Sequence, residues 1–238
     1  MPKFVIGKFG AMAAVCLMGS LAACDANTND MRPRKSESPV EQPAEHCRRL
    51  IGADGVEWVK KSQSSPIAES DRDVQGEAKA TRQFRREAES WTAATDENGY
   101  GWSSLKTVCR LVHEGRDVGG ELLTIEFGAA ATPWEKLPEG ELEGGGVVTA
   151  AGEDAKLVSW EMGPDEPNEY SVFVKCRVEG SMYGQETRVP LEGTLTDGLS
   201  GDLGANPRFD LLLDAARVMV EKAGCLNGPE LPDRAPRA

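Results

Sequence analysis

The sequence predicts an α+β fold, an antiparallel sheet with flanking helices stapled by two disulfides. Three observations lead there. Alternating apolar and polar runs fill the middle of the chain between residues 105 and 195, punctuated helix-forming runs lie on either side, and Cys47, Cys109, Cys176 and Cys225 are spread over the same region. The globular part is placed at residues 44–228, behind N-terminal segments 1–23 and 24–43 and ahead of a loose, proline-rich tail at 229–238.

The first 23 residues read as an export leader. Lys3 and Lys8 supply a positive start, and the uncharged run Phe9 to Met18 has signal-peptide length but is too short for a stable membrane span. Gly19, Ser20, Ala22 and Ala23 are the small residues a signal peptidase needs, and Cys24 follows them directly. The run Leu21-Ala22-Ala23-Cys24 resembles the lipobox of bacterial lipoprotein signal peptides, and the chain behind it resembles the surface lipoproteins of Gram-positive bacteria. The resemblance implies cleavage before Cys24, a thioether-linked diacylglycerol on its sulfur, and residence on the extracytoplasmic face of the cell membrane. Two buried acyl chains anchor stably where a single one binds only reversibly.

Residues 24–43 then read as anchor and tether: after Cys24 the segment carries almost no apolar side chains and three prolines, too little apolar surface to hold an ordered structure. A flexible coil of that length spans on the order of 20–30 Å. Its Arg32, Arg34 and Lys35 are diluted by Asp25, Asp30 and Glu37, which favours a solvated linker over a lipid-binding cluster.

The elements follow in order. Ala44 to Ile51, between Pro43 and Gly52, predicts a short helix carrying Cys47, Leu50 and Ile51 on one side. Residues 78–92 predict a second helix, with Ala80, Phe84, Ala88 and Trp91 on one face. Strands are expected at Leu105 to His113 and Glu121 to Phe127, joined by a glycine-rich hairpin loop, then at Lys156 to Met162, Tyr170 to Val178 and Glu186 to Leu195. In the fourth of these, Val172, Val174, Cys176 and Val178 share one face, so one side is expected buried and the other mostly solvated. Asn206 as N-cap and Pro207 behind it open the last helix, lined by Leu212, Ala215, Ala216 and Met219 and stopped by Gly224. Val108-Cys109-Arg110 and Lys175-Cys176-Arg177, each followed by Glu-Gly and a hairpin, hint at two similar halves joined by residues 128–154.

With Cys16 in the leader and Cys24 taken by lipid, four cysteines are left, an even number that reads as two disulfides in an exported chain. Three connectivities are open. The preferred one joins Cys47 to Cys109 and Cys176 to Cys225, because each bond would then tie a helix to a strand across a long loop.

Composition and motifs bound the function. The chain has 27 basic and 39 acidic side chains, a formal charge of −12, and loses only two lysines with the leader, so nucleic acid is not an expected partner. No cofactor motif is present: neither a phosphate-cradling nor a dinucleotide glycine loop, no G-x-S-x-G and no H-E-x-x-H. Asp71-Arg-Asp73-Val-Gln75-Gly76 begins like a calcium loop, but Gln75 stands where an acid or Asn belongs and Arg82 where the bidentate Glu belongs. The two histidines, His46 and His113, read as surface or capping residues rather than bases, although His113 with Ser103 or Ser104 has the right chemistry for acyl transfer. The ligand-binding candidates are Tyr100 and Trp102, two rings in the polar stretch Asp96-Glu-Asn-Gly-Tyr100-Gly-Trp102, although Trp102, three residues before a strand, is more readily read as folding back on the core. Trp58, Trp91, Trp134 and Trp160 are assigned to the core. The expectation is a lipid-anchored extracytoplasmic protein that binds an envelope glycan or another exported protein; the alternative is an envelope hydrolase whose residues converge only in the fold. Exposed aromatic rings would favour the first and convergent acids in a concavity the second.

Overall fold

The structure, a computed structural model, describes residues 46–93, 105–115, 121–160, 167–198 and 204–237. Eight strands form one antiparallel sheet: β1 (Ile67–Glu69), β2 (Lys106–His113), β3 (Glu121–Ala129), β4 (Gly140–Glu141), β5 (Gly146–Ala150), β6 (Ala155–Trp160), β7 (Asn168–Val174) and β8 (Leu191–Asp197), in the spatial order β1-β2-β3-β8-β7-β6-β5-β4. The helices are α1 (His46–Lys61), α2 (Glu77–Ser90), the single turn α3 (Gln185–Arg188) and α4 (Ala205–Ala223), with a 3-10 turn at Trp134–Lys136. The architecture is α+β, as the patterning predicts.

Helices α1, α2 and α4 lie against one face of the sheet: α1 on β2, α2 on β2 and β3, α4 on β7 and β8. Register explains the choice of face. Leu123, Ile125, Phe127 and Ala129 of β3 stand opposite Asp197, Leu195, Gly193 and Leu191 of β8, which in turn meet Tyr170, Val172 and Val174 of β7. These apolar rows join Phe84, Leu212 and Met219 of the helices in the main core. Gly193 is required there: a Cβ on it would sit 2.4 Å from the Phe127 ring. Val108 forms a bulge in β2, so Cys109 stands opposite Ile125 and faces α1.

Both preferred disulfides are present. Cys47 of α1 bonds Cys109 of β2 and Cys176, two residues past β7, bonds Cys225 just after α4, with Cα separations of 4.8 and 4.9 Å. Each ties the helix layer to the sheet, with Cys47, Cys109 and Cys176 buried and Cys225 half-buried.

Several expectations are corrected. The first helix does break at Gly52, whose φ of 73° is left-handed, but it resumes and runs to Lys61. Asn206 is not the N-cap of α4; Gly204 takes that place with no side-chain cap, and Arg208 Nη1 donates to the Gly204 carbonyl. Gly224 does end α4, in the left-handed conformation, donating to the Val220 and Glu221 carbonyls. The stretch Glu186 to Leu195 is half helix: α3 precedes β8 because the buried Gln185 amide accepts from Val178 N–H and donates to the carbonyls of Cys176 and Val189, closing the chain into a turn. Strand β7 stops at Val174, and its far face is not solvated: Phe173 is buried with Ala130, Leu137, Val148 and Val158 in a second, smaller core. Residues 128–154 are no mere connection, since they complete β3, supply β4 and β5, and fold over this second core. Lys156 pins that cover by donating to the carbonyls of Trp134 and Leu137, and its ammonium lies 4.4 Å from the Trp134 ring centre.

The two halves share one sheet and meet where β3 lies beside β8, but the bonded helix precedes its strand in the first and follows it in the second. They are not copies in chain order. The tail is corrected as well. Residues 229–237 are held along α4, with Arg217 donating to the Pro232 carbonyl, Ala235 N–H and Arg234 both bonded to Asp210, and Leu231 and Ala235 packed against the main core. Few residues of the tail are apolar, but two of them are placed where α4 leaves the core uncovered.

Candidate functional site

The face of the sheet opposite the helices carries the chemistry. One end lies under the second core. Toward the other end the side chains become polar, because β3, β8 and β7 each place hydroxyls and carboxylates at the alternate positions. Across the strands run Thr107, Glu126, Thr194 and Ser171 in one row and Thr124, Thr196 and Glu169 in the next, with Glu192 between Gly128 and Phe173. Ser171, Thr194 and Thr107 are buried, and Glu126, Glu169 and Glu192 are each partly exposed.

Thr107 donates its hydroxyl to Glu126 Oε1 at 2.8 Å, and Ser171 and Thr194 share a 3.4 Å contact. Among the described residues, no Lys or Arg pairs with Glu126, Glu169 or Glu192 within ion-pair distance. The consequence is electrostatic. Burial, reinforced by the charge of Glu169, pushes the Glu192 carboxyl up to about 7, and burial followed by the charge of Glu126 raises Glu169. Burial and a neighbouring carboxylate thus oppose the ionisation of Glu169 and Glu192, and an arriving cation would relieve both.

The residues singled out in the sequence fall elsewhere. Cys24, Tyr100 and Trp102 lie outside the described residues, as do Ser103 and Ser104. His113 ends β2 with its Nδ1 buried and without a hydrogen bond. His46 opens α1, where Arg49 bonds its Nδ1 at 3.0 Å and Glu77 lies 3.9 Å away, a structural arrangement at the junction of α1 and α2. Asp73 of the calcium-like stretch is engaged by Arg72 and Arg110 at 3.8 and 3.7 Å. Among the described residues no three His, Cys, Asp or Glu side chains are grouped to hold a metal ion.

Two features escaped the sequence reading. The glutamates occupy polar positions of alternating strands, a signal visible in Glu121-Leu-Leu-Thr-Ile-Glu126-Phe127, but their convergence depends on β8 inserting between β3 and β7, which no local pattern encodes. The second is Tyr183, which is 91 % exposed beside the half-exposed Met182 on the turn before α3. It is the solvent-facing aromatic of the described residues; Trp91 is buried, and Trp58, Trp134 and Trp160 pack against the two cores.

Compared with protein-family models, with characterised proteins and with solved structures, the chain matches none.

Proposed function

We propose that the protein is a lipid-anchored, extracytoplasmic binding module of the cell envelope, held by a diacylglycerol on Cys24, that recognises a cationic group through the helix-free face of its sheet. The observation carrying this reading is the set of three glutamates on β3, β8 and β7 that have no basic partner among the described residues. An amine or guanidinium seated over Glu126, Glu169 and Glu192 would regain in Coulomb energy what their burial costs. The basic side chains of an exported protein, or the amino groups of an envelope glycan, carry that chemistry. Exposed Tyr183 and Met182 offer apolar contact elsewhere on the surface.

The test is calorimetric titration with a short lysine peptide and with glucosamine oligomers, at pH 6 and pH 8. Saturable binding of one of them, with proton release near pH 7 as Glu192 ionises, and loss of both binding and release in Glu192→Gln, is the expected result. No binding by the wild type, or unaltered binding by Glu192→Gln, overturns the recognition face. The anchor is tested separately: Cys24→Ala should move the protein from the membrane fraction to the medium or block leader cleavage, and normal cleavage with full membrane retention would refute it.

A second reading draws on the same carboxyl. A glutamate near pH 7 in its protonation equilibrium suits a general acid. Turnover of envelope glycan fragments by the wild type and not by Glu192→Gln would replace binding by hydrolysis.

A further inference from the structure

The helix layer carries a charge pattern opposite to that of the chain as a whole. On α2, Ala80, Phe84 and Ala88 turn toward the sheet, so Lys79, Arg82 and Arg86 fall on the outward side at spacings of three and four, with Arg85 beside them. Lys222, at the end of α4, adjoins Arg82 and Arg85 across a 270 Å³ cleft that Ala78 and Thr81 also line. All five cations are exposed. Among the described residues none of the five forms an ion pair with a carboxylate: Arg85 donates to the Ala223 carbonyl, and Arg86 to the Gln83 side chain. Among the described residues, Glu89 lines the open 520 Å³ depression along α2 with the stripe, and Glu87 lies within reach of the Arg86 charge. Five unpaired cations clustered in a chain of net charge −12 concentrate positive potential on one surface.

The start of α1 lies at the same helix. His46, the first described residue, has its ring 3.9 Å from Glu77 Oε2, and Gly76, the residue before α2, faces that ring so closely that a Cβ would lie 3.4 Å from its Cε1. His46 therefore lies beside the N-terminal end of the cationic stripe.

We propose that the outer face of α2, with Lys222, docks on the anionic headgroups of the membrane to which the chain is tethered. The orientation rests on the proposed anchor; the headgroup affinity does not. Several basic side chains presented together on a helix face are what an anionic leaflet attracts, and the attraction is screened within a Debye length. The surface is an unpartnered, strongly cationic helix face, and the charge complementarity with phosphate-bearing lipid selects its occupant. Docking this face down turns the sheet face with Glu126, Glu169 and Glu192 away from the bilayer.

The experiment uses the chain from residue 24 onward with Cys24→Ser, so that no lipid contributes. Co-sedimentation is measured with vesicles of phosphatidylglycerol plus phosphatidylcholine and with phosphatidylcholine alone. Expected is binding to the anionic vesicles only, weakened by salt. Binding should fall by about tenfold or more in the triple variant Lys79→Glu, Arg82→Glu, Arg86→Glu, and by several-fold in the milder Lys79→Gln, Arg82→Gln, Arg86→Gln. Replacing Arg32, Arg34 and Lys35 of the tether by Ala should leave most of the binding intact. Equal binding to neutral vesicles, no binding at all, or binding that survives both stripe variants overturns the proposal. Displacement by millimolar inorganic phosphate at matched ionic strength overturns it in favour of a discrete anion site, and binding to an acidic peptide but not to vesicles overturns it in favour of a protein partner. Because the lipid is absent, these outcomes are independent of the fractionation of Cys24→Ala that tests the anchor.

Discussion

Two charged side chains within the fold show how burial and pairing decide the effect of a charge. Arg208 and Asp197 are 3 % and 0 % exposed at their side chains, bonded to each other where β8 hands the chain toward α4, and the guanidinium also lies 5.3 Å from the Tyr170 ring. Pairing there answers the cost of burial. Glu192 has no such answer, and its carboxyl stands near 7 instead of 4.5. The sign of its effect follows. A carboxyl whose value is raised in the folded state costs nothing at pH 4, where it is protonated folded or unfolded, and opposes folding increasingly as pH rises from 4.5 to 7. Wild type should therefore lose up to about 3 kcal/mol relative to Glu192→Gln between pH 4.5 and pH 8, read by urea unfolding of both proteins across that range. Parallel pH profiles would mean the carboxyl is solvated. Glu192 was legible as a polar position of a strand; its perturbation was not, because it depends on Phe173, Gly128 and Glu169 brought beside it from other strands.

At the scale of elements, the helices were the most legible. The face of α2 and the stop of α4 at Gly224 follow from periodicity and from left-handed backbone, both local properties. Elements whose ends are satisfied from far away were not legible. The N-terminal Cys47 N–H of α1 is capped by Glu69 of β1 at 2.8 Å, a residue 22 positions later, and α3 exists because one buried glutamine side chain ties three backbone groups. Short strands β1, β4 and β5 lack the length for an alternation signal and are held by their neighbours. The C-terminal segment belongs to the same class. Deleting residues 229–238 should destabilise the domain by about 1–3 kcal/mol, since it uncovers the part of the core under Leu231 and Ala235 and removes the Pro232 and Ala235 backbone bonds, a shift measurable in the urea midpoint. An unchanged midpoint would return the segment to the status of a loose tail.

For the whole molecule, the two disulfides couple the layers. Sequence separations of 62 and 49 residues correspond to about 4 kcal/mol each in the chain-entropy account, so replacing either pair by alanine should lower thermal stability strongly and replacing both should leave little folded protein. Loss of neither pair affecting the melting temperature would mean that the core alone holds helices to sheet. Under the proposed docking, the same two layers would divide the labour: a cationic helix surface toward the lipid and a carboxylate-bearing sheet surface away from it. Properties encoded in nearby residues were set by the sequence alone: the lipobox-like run at residues 21–24, the polar, proline-containing composition of residues 25–43, the buried faces of α2 and α4, the antiparallel α+β character and an even set of cysteines. The tertiary structure alone decided the rest. Strand order put β8 between β3 and β7, so three glutamates far apart in the chain came to share one face. Local patterning specifies which way a side chain points along its own strand, but the neighbours it meets there are set by long-range pairing, and charge, burial and recognition depend on those neighbours.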